Sequence, residues 1–133
     1  MGTTDDLRSA GATDDLRSAG ATDDLRRAVV DGGSEEVVQL ERLIESCRQM
    51  QNEIREALAL LGEGYTMTTI LSRGRAPGVI PQLTEALERT NAARRIGRGA
   101  MIRLAIAEGM TTRRLGERLG ISRQLVARYR DEV

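Results

Sequence analysis

From Val37 to Leu61 apolar side chains return every three or four residues, with Val37, Ile44, Gln51 and Leu58 on one line and Leu40, Cys47, Ile54 and Leu61 on a second. On a helix these lines run side by side as the a and d positions of a heptad repeat, with Gln51 the one polar member. Leu43, Met50 and Ala57 lie beside them and widen the stripe beyond a two-stranded seam. Ser34 as N-cap, with Glu35 and Glu36 behind it, predicts the start of this helix, and Gly62 and Gly64 predict its end. Such a stripe must be covered, either by residues 66–108 folding back or by a second copy of the chain. A homodimer is the expectation, through Val37, Leu40, Ile44, Cys47, Gln51, Ile54, Leu58 and Leu61, with Gln51 as the buried polar residue that fixes register.

The pattern before this helix is different. TDDLRSAGA starts at Thr4 and again at Thr13, and TDDLRRAVV follows at Thr22, a period of nine. Each unit opens as a helix would, with Thr before two Asp, but the first two soon meet Gly. One Leu per unit leaves little apolar surface to offset the entropy of ordering, so residues 1–33 are expected to be a disordered acidic tail. After the long helix, residues 63–80 read as a linker with a short helix that starts near Thr66 or Thr68 and ends at Gly74. Pro81 suits the first turn of the next helix. An apolar stripe through Leu83, Leu87, Ile96, Met101 and Leu104 then runs to Gly109, with Gly97 and Gly99 as an expected weak point.

The last stretch, TTRRLGERLGISRQLVARY from Thr111, has the spacing of two short helices joined by a tight turn. Gly120 can adopt φ > 0 at the turn, Gly116 leaves room for a close crossing, and Ser122 caps the second helix. Steps of 100° from Ser122 put Leu125, Val126 and Tyr129 on one side and Arg123, Gln124, Ala127, Arg128 and Asp131 on the other. Arg and Gln have forked ends that match the hydrogen-bonding edge of a purine, so Arg123, Gln124, Ala127 and Arg128 are candidates to read bases in a major groove. The run resembles the helix-turn-helix of resolvase and invertase C-terminal domains and of many bacterial repressors. That resemblance covers the end of the chain and implies double-stranded DNA as partner. The longer catalytic domain of resolvases has no counterpart in these 133 residues.

Charge follows the same division. Residues 1–88 hold 9 Arg and 16 acidic residues, whereas residues 89–133 hold 11 Arg and 4 acidic residues, so zero net charge hides −7 and +7. A basic end that coincides with the motif is what a nucleic-acid module would carry. Arg94, Arg95, Arg98, Arg103, Arg113, Arg114 and Arg130 are candidates for phosphate contacts, with Arg89 instead placed to pair with Glu85 or Glu88.

The chain has no His and no Lys, which removes imidazole bases, imidazole metal ligands and lysine chemistry. No enzymatic activity, cofactor or metal is therefore expected. Cys47 is alone, so no internal disulfide forms; it is read as a small apolar residue of the helix, and with no membrane-length apolar run the expected place is the cytoplasm. The sequence thus predicts an all-α protein: tail, long amphipathic helix at 34–62, linker, and a three-helix unit at 81–133 containing the motif. Its expected function is sequence-specific transcriptional regulation as a dimer. The alternative is an interaction module, antitoxin-like or a scaffold, that binds a protein through residues 34–62 and touches DNA without preference.

Overall fold

The computed structural model describes the backbone of residues 5–74 and 76–132, and side chains from residue 20 onward except at 75–77 and 133. The described residues form five α-helices and no strand: α1 (Asp5–Gly62), α2 (Met67–Arg73), α3 (Ala76–Ala107), α4 (Thr112–Leu119) and α5 (Arg123–Asp131). The protein is all α. They divide into two compact units, one of residues Ser34–Arg94 and one of the chain up to Gly33 together with Arg95 onward.

In the unit of residues 34–94, α1 and α3 run antiparallel. The Thr90 hydroxyl lies 2.7 Å from the carbonyl of Ala86 on its own helix and 3.2 Å from that of Gln39 on α1. Further along, Gln49 and Glu53 share a cleft with Val79 and Gln82. The covered positions of α3 are Val79, Ala86, Thr90 and Ala93, spaced by seven, four and three and small enough to let the backbones approach. Those of α1 follow the same rhythm but are mixed in character: Gln39 is buried, and Leu43, Ser46, Met50, Glu53, Ala57 and Leu60 are half-buried. Gln39 Nε2 donates to Glu35 Oε1 at 2.6 Å, while its own Oε1 is buried without a partner. Gln39 is thus a buried polar residue of α1 within the single chain, where Gln51 is exposed.

This intrachain seam uses one edge of the stripe predicted for α1 and leaves its centre open. Val37, Leu40, Ile44, Ile54, Leu58 and Leu61 are 40–61% exposed, and the Cys47 thiol is exposed as well. Residues 79–93 do fold back, but onto the positions beside the two apolar lines.

Helix ends follow local chemistry. Gly64, at φ 96°, stops α1: its N–H donates to Leu61 O and that of Tyr65 to Leu60 O, which satisfies the last carbonyls. Thr66 caps α2 through the Thr69 N–H, and Gly74 follows its last residue. The predicted start at Ser34 is not a boundary, because α1 passes through Gly32, Gly33 and Ser34 without interruption. In the other unit, a Cβ built on Gly32 would lie 3.1 Å from the Gly97 Cα of α3. Close approach of two helices at paired glycines offsets the roughly 1 kcal/mol that each costs in a helix interior. Gly97 and Gly99 likewise sit in an unbroken α3, and Pro81 lies inside that helix because α3 already begins at Ala76.

The third repeat belongs to this unit as helix. Its Ala-Val-Val replaces the Ala-Gly-Ala of the earlier copies, so Leu25 is followed by Val29 and Gly32 at steps of four and three, all at least half-buried. Disorder was expected of residues 1–19 as well, whose side chains lie outside the described residues.

Candidate nucleic-acid interface

The C-terminal part of α3 packs with α4 and α5 around Ile102, Leu115 and Val126, which are 0%, 4% and 0% exposed. Ala105, Ile106, Met110, Leu119, Ile121 and Tyr129 close the sides of this core. One buried residue from each of three helices is the arrangement the motif requires, with the end of α3 as its first helix. Gly109, at φ 101°, ends α3, with the Met110 N–H donating to Ala105 O. Thr111 then caps α4 by accepting from the Arg114 N–H at 3.2 Å.

The turn between α4 and α5 rests on two glycines for two different reasons. Gly120 adopts φ 66°, a left-handed conformation that costs other residues about 1–2 kcal/mol. Gly116 instead makes room: a Cβ there would lie 2.8 Å from the Ile121 carbonyl oxygen, which itself accepts nothing from Gly116, while the Ile121 N–H donates to Gly116 O at 3.0 Å. The close approach is to the turn's backbone rather than to a side chain of the second helix. Gly116→Val should accordingly destabilise this unit by about 2–3 kcal/mol through overpacking against a carbonyl that cannot rotate away. Thermal or denaturant unfolding of the variant checks this, and an unchanged midpoint would be inconsistent with the crossing described.

Ser122 caps α5, its hydroxyl accepting from the Leu125 N–H at 3.1 Å. That fixes the helix phase. Val126 is buried and Leu125 and Tyr129 half-buried, while Arg123, Gln124 and Arg128 are exposed on the other side; Ala127 is half-buried at the edge. Arg123 and Gln124 form the first turn of α5, where no acidic residue accompanies them. Arg123, Gln124 and Arg128 have no side-chain partner among the described residues, so their donors remain free for an external acceptor.

The arginines proposed for phosphates separate into groups. Arg114 and Arg95 carry no ion pair among the described residues. Arg113 pairs with Glu117 at 3.3 Å across a helix turn, an exposed contact that a phosphate can replace at little cost. Arg130 is held by Asp131 through two contacts, Nε–Oδ1 at 2.8 Å and Nη2–Oδ2 at 3.2 Å. The shared hydrogen bonds lower the Asp131 carboxyl below its ordinary range and raise the Arg130 guanidinium. Arg98 stacks over the Tyr129 ring, 5.8 Å from its centre. Arg94 is the last residue of the other compact unit.

Arg103 serves α5 rather than a phosphate. Its Nη1 donates to Glu132 O at 2.8 Å and to Tyr129 O at 3.3 Å, so it satisfies carbonyls that the end of α5 leaves without partners. Gly99, one turn earlier, opens the space; a Cβ there would be 3.2 Å from the same nitrogen. The glycine and arginine four residues apart on one face are the trace this clamp leaves in the sequence. Among the described residues no cluster of side chains suits a metal ion, and no helix is long and apolar enough to cross a membrane. Comparison with known proteins finds no matching family model, no matching curated protein and no matching solved structure.

Proposed function

We propose that the protein is a sequence-specific DNA-binding regulator of transcription that acts as a dimer in the cytoplasm and inserts α5 in the major groove. The observation that carries this reading is the outer face of α5: Arg123, Gln124 and Arg128 stand free on a helix whose opposite side is anchored by Val126 at 0% exposure. A rigid helix that presents unpartnered forked donors has already met the cost of positioning them, and purine edges offer matching acceptors. Arg95 and Arg114, also free, supply contacts to phosphate that add affinity without preference.

The experiment is a titration of affinity against salt. Arg114→Ala and Arg95→Ala should each weaken binding to every duplex alike and reduce the slope of log K against log salt by about one. A slope that both variants leave unchanged would remove these arginines from the interface. If bulk competitor displaces the chain from its own promoter fragment as well as that fragment does, the interaction-module reading is favoured instead.

A further inference from the structure

We infer that the open apolar face of α1 in the unit of residues 34–94 is closed by the same face of a second copy, running antiparallel. The inference rests on the dimer of the proposed function and is independent of its DNA binding. The two lines of apolar residues are complementary to themselves when reversed. Setting Val37 against Leu61 of the partner subunit brings Ile44 to Ile54 of the partner subunit, Gln51 to Cys47 of the partner subunit and Leu58 to Leu40 of the partner subunit. Every a position meets a d position and none is left over. The one polar residue falls against the thiol, at the layer where both exposed groups are smallest in apolar area.

Charge selects this direction. The free flank of the stripe carries Glu41, Arg48 and Arg55, seven residues apart, because the other flank is taken by the intrachain seam. In a parallel pair this flank would face the opposite flank of the second helix, where Glu36, Leu43 and Met50 offer no opposite charge and Glu41 would meet Glu36 of the partner subunit. In the reversed register Glu41 meets Arg55 of the partner subunit, twice by symmetry. Arg48, at the centre, already lies 4.0 Å from Glu45 of its own helix, so two such pairs meet there rather than two bare cations.

The face continues onto α3. Ile80 and Leu87 are 54% and 46% exposed and lie about a quarter-turn from the covered stripe of Val79, Ala86 and Thr90. On an antiparallel pair this turns them to the same side as the open face of α1. Eight large apolar side chains, each about half exposed, then share one continuous surface. That matches the apolar centre of an interface of roughly 800 Å² per partner, whereas exposure of a patch of this extent is unusual on a monomer.

The test uses the full chain without DNA, with Cys47→Ser as background and the substitutions Val37→Cys and Leu61→Cys in separate preparations. Both positions are exposed in the single chain, so neither change disturbs its packing. After the two proteins are mixed and allowed to exchange, oxidation should join Val37→Cys to Leu61→Cys and leave each preparation alone uncrosslinked. In the reversed register two copies of position 37 stand about 36 Å apart, beyond any disulfide. Crosslinking of Val37→Cys to itself would show a parallel pair and overturn the register. A monomeric mass by sedimentation, with no crosslink in any mixture, would overturn the interface itself while leaving DNA binding to be judged on its own assay.

Discussion

Arg123→Ala and Gln124→Ala should each lower affinity for a preferred DNA site by about 1–3 kcal/mol, a factor of roughly 5 to 150, and relax preference at one base position. The size follows from what is lost: a forked donor held on a capped helix, replaced by a methyl group that leaves a base edge unanswered. Affinity for a scrambled duplex should change much less, since α5 meets bases there without matching them. Arg128→Ala belongs with these two, being exposed on the same face. The fold should be unaffected, because Val126, Leu115 and Ile102 carry the core from the other side. Measuring both duplexes with each variant separates reading from holding. A ratio between the two sites that survives Arg123→Ala and Gln124→Ala would mean that α5 does not read sequence.

Replacing Ile44 or Ile54 by Glu should turn the proposed dimer into monomers at micromolar concentration. Ile44 is 50% exposed in the single chain, so the substitution leaves the intrachain seam of Gln39, Leu43, Ala86 and Thr90 intact. In the dimer the same change puts two carboxylates in one apolar seam, where an unpaired buried charge costs several kcal/mol. Association should weaken at least a hundredfold, with helical content retained. Affinity for a two-half-site duplex should fall with it, because each motif then binds alone. Sedimentation of either variant as an intact dimer would exclude this face.

The helix-turn-helix was legible almost residue by residue because its signals are local. Thr111, Gly120 and Ser122 act within a few residues of themselves, and the phase of α5 follows from its cap. The end of α1 at Gly62 and the short helix ending before Gly74 were readable for the same reason. What sequence could not settle depends on residues far apart. Gly32 and Gly33 precede a strong capping residue, yet the helix passes through both, and Gly32 is met by Gly97 of α3, a residue far away in the chain. The strongest apolar stripe of α1 pointed to a covered face, whereas the chain covers the weaker stripe beside it, with Gln39 and Glu53 among its members, since Ala86, Thr90 and Ala93 on α3 permit a close approach there. Arg103 looked like its neighbours until the carbonyls of Tyr129 and Glu132 were found within its reach.

The central claim is that this chain distinguishes one DNA sequence from another through α5. Selection of bound duplexes from a random pool tests it most directly, carried out at moderate salt with the wild-type protein and with Gln124→Ala. Wild type should enrich one short motif, and Gln124→Ala should lose preference at a single position within it. A bound pool as random as the input, with retention governed by salt alone, would contradict that claim.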